Sequence, residues 1–142
     1  MKIGIAVFFG TGNTAYVAEL LGKELRSLGA AVDIQQIDST SFHIMDADTT
    51  DFDPSCYDLV GIGHPILGFG VPPLVLRFAE ALPNGRSKMF IFKSAADNHR
   101  INNTASEKLI RIFKDKGYDV FHDFLYVMPC NWIFSYKRRF NL

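Results

Sequence analysis

The sequence predicts an α/β fold in which a five-stranded parallel sheet is doubly wound by helices. Two observations lead there. Short apolar runs alternate with amphipathic stretches along the whole 142-residue chain, and strands that alternate with helices imply parallel pairing through right-handed crossovers. The runs are also spaced as five strands, which fits a doubly wound sheet whose ligands sit beyond the carboxyl ends of its strands.

The first run, IGIAVFF (3–9), reads as a buried strand. TAYVAELLGKELRSLG (14–29) follows as a helix, because Val17, Leu20, Leu21, Glu24, Leu25 and Leu28 recur at helical spacing and Gly29 can close it. AVDIQQI (31–37) alternates cleanly, as a strand at a sheet edge does. Residues 38–57 are polar and acidic without a period and predict a long loop with one turn of helix. DLVGIGH (58–64) is the third strand, and VPPLVLRFAEAL (71–82) a helix with Pro72 and Pro73 in its first turn, where proline is tolerated. KMFIFKS (88–94) is the fourth strand. NTASEKLIRIFKDKG (103–117) predicts a helix capped by Asn103 or Thr104 and ended by Gly117. YDVFHDFLYVMP (118–129) is the fifth strand, with a bend, and NWIFSYKRRFNL begins a further helix.

Composition narrows the class. A hydrophobic fraction of 48% belongs to a folded chain, and the length fits a single domain over residues 1–142. No apolar run is long enough to span a bilayer, and Lys2 leads straight into the first strand without a signal-peptide pattern, so a cytoplasmic protein is expected. Cys56 and Cys130 lie far apart with no close pair, which excludes a CxxC zinc site and an iron–sulfur cluster held within the chain; two buried reduced thiols are expected. Fifteen basic and fifteen acidic residues balance, so neither nucleic acid nor a membrane surface is an expected partner.

Three loops follow strands: 9–14, 64–70 and 94–101. In the first, Gly10 and Gly12 clear side chains from the start of a helix, where unpaired N–H groups and the helix dipole favour an anion. Thr11, Asn13 and Thr14 add hydrogen-bonding side chains. No lysine follows, so the Walker pattern is absent and a triphosphate is poorly served. Two other readings stand beside a phosphate cradle: Asn13 or Thr14 as a simple helix cap, and a dinucleotide fingerprint GxGxxA with Asp38 as the ribose acid.

The stretch FFGTGNTAYVAE resembles the phosphate loop of flavodoxins, T/S-x-T-G-x-T, most closely that of the flavodoxin domain in bacterial flavodoxin–ferredoxin fusion proteins. YDLVGIGHPILGFGVPPLVLRFAEALP (57–83) is similar to that family's Y-D-L-I-x-x-G-x-P stretch with the helix after it, and MPCNWIFSY (128–136) resembles a late P-x-N motif. The resemblance implies a flavodoxin-like three-layer fold with strand order 2-1-3-4-5, and FMN as the cofactor. It implies that Phe9, Gly10, Thr11, Gly12, Asn13 and Thr14 bind the terminal phosphate, with Phe9 standing where a serine is usual. Pro65, Ile66, Leu67, Gly68, Phe69 and Gly70 would pass along the isoalloxazine, Phe69 stacking on it while Gly68 and Gly70 let a peptide reorient. His64 and Leu67 replace aromatic residues usual in that loop, and a core position for Phe69 is the competing reading. Ser94, Ala95, Ala96 and Asp97 would meet the pyrimidine side of the flavin. That loop has no Trp or Tyr; His99 is a substitute for the missing aromatic or a solvated surface group.

The function so implied is one-electron transfer by bound FMN, with a flavodoxin reductase or a ferredoxin-type domain as redox partner and no catalytic residue of the chain's own. Alternatives are an FMN-dependent NAD(P)H:quinone oxidoreductase, a flavin-free interaction domain, and the dinucleotide-binding dehydrogenase. The fusion proteins continue into a cysteine-rich region, whereas this sequence stops at Leu142 inside a predicted helix. An excised domain, a truncated product and a short stand-alone relative all fit that ending.

Overall fold

The computed structural model describes residues 1–8, 12–37 and 52–128. Strands β1 (Lys2–Val7), β2 (Ala31–Gln36), β3 (Leu59–Pro65), β4 (Lys88–Ala95) and β5 (Asp119–Val127) form one sheet in the order β2-β1-β3-β4-β5. Every pairing is parallel. Helices α1 (Asn13–Ser27), α2 (Pro73–Ala81), α3 (Arg100–Asn103) and α4 (Glu107–Asp115) make the crossovers among the described residues. The predicted fold class and strand order are those observed, and β2, the strand with clean alternation, lies at an edge.

Successive residues of a strand point to opposite faces, so β1 feeds two cores. Ile3, Ile5 and Val7 pack with Val17 and Ala18 of α1 and with Phe90 and Phe92. Ala6 faces the other way, joining Val60, Ile62, Met89 and Ile91 beneath Val75, Phe78 and Ala79 of α2 and Leu109 and Phe113 of α4. The glycines of β3 serve the first core. A Cβ on Gly61 or Gly63 would overlap the Phe90 or Phe92 ring, so the neighbouring strand's aromatics occupy the space that side chains on β3 would need.

Three local expectations change, and two others become specific. The helix predicted over 103–117 is two pieces, because the backbone leaves the helical conformation at Thr104 (φ −94, ψ 4) and Ser106 (φ −88, ψ 1). The cap position of α4 is therefore Ser106 rather than Asn103 or Thr104, and its side chain makes no capping bond. The loop before β3 holds a single 3-10 turn, Pro54–Cys56, capped by the Asp53 carboxylate. Cys56 in that turn is exposed, not buried, because the turn lies at the surface; Cys130 lies outside the described residues. The bend expected in β5 is a register shift that leaves Phe121 without a partner on β4, between Met89↔Val120 and Phe90↔His122.

Candidate functional site

The carboxyl ends of β1, β3 and β4 bring the first, second and third loops to one edge of the sheet. Phe9, Gly10 and Thr11 of the first loop lie outside the described residues. Gly12 is the residue before α1 and takes φ +101, a backbone region that L side chains rarely adopt. Nothing of the described protein stands where its Cβ would be. The cap position is Gly12, so neither Asn13 nor Thr14 occupies it, and among the described residues no side chain caps the helix there. Thr14 is buried, and its hydroxyl lies 2.8 Å from the Ser94 hydroxyl at the end of β4. Such a pair uses one of its two O–H protons internally and leaves the other for a further acceptor.

Ser94 also joins the second loop to the third: its carbonyl accepts the Ile66 N–H at 3.0 Å. Beyond Ile66 the chain turns sharply, Leu67 and Gly70 exchanging N–H···O bonds of 3.0 and 3.1 Å. Gly68 and Phe69 between them have φ of +56 and +64. Positive φ at both central residues marks a type I′ turn, for which glycine or asparagine is the ordinary choice. Phe69 holds this left-handed conformation at 72% exposure. The competing core position is thus ruled out, and the permissive backbone falls on Gly68 and Phe69 rather than on Gly68 and Gly70. A bulky side chain held at positive φ is strained, and strain of this kind gathers at functional sites.

The third loop is buried at Ser94, half-buried at Ala95 and exposed at Ala96 and Asp97. The Asp97 carboxylate accepts the His99 N–H at 3.1 Å and the Asn102 amide at 2.6 Å, so it shapes the loop. His99 is exposed, and its Nδ1 accepts the Ile101 N–H at 3.3 Å, the role of a cap on α3. That bond engages its ring with its own helix, against the reading of His99 as a substitute aromatic.

Beneath the second and third loops lies a polar cluster that sequence reasoning missed. His64 is fully buried at the end of β3; its Nδ1 lies 2.9 Å from the Pro65 carbonyl and its Nε2 3.1 Å from the Ser106 hydroxyl. Burial, helped by the Lys93 charge, pushes its pKa down to about 4 against the opposing pull of the Pro65 carbonyl and Asp123. Lys93, paired with His64 in the strand register, is buried as well; its ammonium donates to the Asp123 carboxylate at 2.6 Å and to the Asn103 carbonyl at 2.8 Å. The second carboxylate oxygen, Asp123 Oδ1, is buried without a hydrogen-bond partner among the described residues. One signal was available: a lysine inside the apolar run KMFIFKS, where the other face of the strand leaves no route to water. Asp38, His43, Asn131, Trp132 and the Lys137–Arg139 run lie outside the described residues.

This topology, with its loops at the carboxyl ends of the strands, is the flavodoxin-like fold. No protein-family model matches the chain, and no curated protein sequence does. Solved structures do match. The flavodoxin of Streptococcus pneumoniae TIGR4 superposes with TM-score 0.68 at 18% identity, over 97% of this chain and 92% of that one. Oxidised flavodoxin 1 from Bacillus cereus gives TM-score 0.70 at 18% identity, over 93% and 88%. A flavoprotein from Lactobacillus acidophilus NCFM, solved in complex with FMN, gives 0.65 at 17% identity, over 87% and 92%. Flavodoxins and flavoproteins are therefore the structural neighbours of this chain, and at such identities the likeness is one of fold.

Proposed function

We propose that the protein binds FMN at the junction of its three loops and works as a one-electron carrier. One observation carries the reading most: Ser94 joins all three loops, through its hydroxyl to Thr14 and through its carbonyl to Ile66. The residues suit the group. At the start of α1 a glycine with open space around it clears the approach of an anion to backbone N–H groups, and a buried hydroxyl pair has one proton to spare. At the second loop an exposed phenyl is held away from the core, available to stack on a flat ring. Bound FMN supplies the single-electron chemistry. The chain's own part is to hold phosphate and ring and to set the environment that tunes the cofactor. The neighbours' descriptions agree with this reading, one of them naming FMN as the bound ligand of that protein. A flavodoxin reductase or a ferredoxin-type domain would be the electron partner.

The test is titration of the purified apo-protein with FMN, followed by quenching of flavin fluorescence. Equimolar uptake is expected, with weaker binding in Thr14→Val and Ser94→Ala. A protein that stays colourless in excess FMN refutes the proposal. Electron exchange with a flavodoxin reductase, without steady NAD(P)H consumption in the presence of a quinone, separates the carrier from the quinone reductase.

A further inference from the structure

We infer that His64 and Ser106 are positioning residues that clamp the base of the second loop from inside the protein, confining its mobility to the turn that carries Phe69. The inference deepens the proposed function and rests on it only for the consequence at the flavin.

The geometry fixes the imidazole from both sides. The Pro65 carbonyl can only accept, so His64 Nδ1 must carry the proton that bridges the 2.9 Å gap. A neutral ring then has an unprotonated Nε2, which accepts the Ser106 hydroxyl proton at 3.1 Å. Ser106 comes from the turn between α3 and α4, forty-two residues further along the chain. The clamp therefore ties the first peptide of the second loop to the helical layer below it. Full burial of His64 excludes water as a competing partner on either nitrogen.

The next peptide is held too, by the Ile66 N–H on the Ser94 carbonyl. Past these two anchors, among the described residues, only the mutual Leu67–Gly70 bonds hold the loop, and its tip places Phe69 in a strained left-handed conformation. Gly68 and Gly70 have nothing of the described protein within reach of a Cβ. The loop is thus rigid at its base and free to move at its tip.

The experiment compares amide hydrogen exchange in the apo-protein for wild type, His64→Leu and His64→Asn. Leucine fills the site but breaks both bonds; asparagine retains a donor at the Nδ1 position. Exchange at Ile66, the amide held at the base of the loop, is expected to rise at least tenfold in His64→Leu, with Ile5 and Ile91 in the core unchanged, and to rise less in His64→Asn, which keeps the bond to Pro65 but not the one to Ser106. Imidazole ¹⁵N shifts should show the Nδ1–H tautomer in wild type. In FMN titrations His64→Leu should bind at least tenfold more weakly and His64→Asn within about threefold of wild type. Unchanged loop exchange in His64→Leu overturns the inference, as does a rise shared equally by the core amides or an Nε2–H tautomer. A wild-type protein that takes up no FMN overturns the proposed function instead, and exchange in the apo-protein still decides the clamp.

Discussion

Acid should destabilise this protein through His64 at a pH well above that at which carboxylates titrate. The residue is fully buried and its pKa falls from 6.5 to about 4 on folding. Between those two values the unfolded chain binds a proton that the folded chain refuses, so stability is lost as pH falls. The contribution is fully present above the unfolded value of 6.5 and is removed on the way down to about 4. Linkage with these two values gives a loss of about 2 kcal/mol between pH 7 and pH 5, and about 3 kcal/mol by pH 4. For a domain of this size that is a substantial part of the total stability. Urea unfolding of wild type and His64→Asn at pH 7, 6 and 5 isolates the effect, because every other titrating group is common to both. Wild type should lose about 2 kcal/mol more than the variant over that range. Parallel pH profiles would refute the reasoning, since His64 would then titrate alike in the folded and unfolded chains.

Three further perturbations probe the parts that hold the site. Gly63→Ala places a methyl against the buried Phe92 ring and should cost about 1–3 kcal/mol in urea unfolding. Asp123→Ala leaves the Lys93 ammonium buried without its carboxylate and should cost about 3 kcal/mol, whereas Lys93→Met with Asp123→Leu together should recover much of that loss. Phe69→Gly relieves a left-handed conformation worth about 1–2 kcal/mol, partly offset by the entropy of glycine, so the apo-protein should become slightly more stable while FMN binding weakens. Phe69→Ala should weaken FMN binding without that gain in stability, because alanine keeps the strained φ. Thermal unfolding of the apo-forms and fluorescence titration read the two effects separately.

Much of the architecture was legible in the residues. A buried parallel strand is a local apolar run and a crossover helix a local period, so the five strands and α1 and α2 follow from short windows. Gly12 was legible for a related reason: a helix that starts directly after a strand, with glycine before it, advertises its backbone. The site was legible only as three separate loops. That Ser94 joins them depends on strand order, because β4 and β1 become neighbours of β3 only in the folded sheet.

The remaining features were settled by contacts between residues far apart in the chain. His64 looked like a replaced aromatic, yet Ser106 and Lys93 give it neighbours that no window around position 64 contains. Phe69 looked like a residue bound either for a ring or for the core, and the turn from Leu67 to Gly70, which leaves it exposed, excluded the core. Sequence by itself determined the layers and the place of the loops, because hydrophobic period is a property of neighbouring residues. Tertiary structure decided which polar groups meet and in which protonation state, because burial and hydrogen-bond partners exist only once the sheet has brought distant strands together.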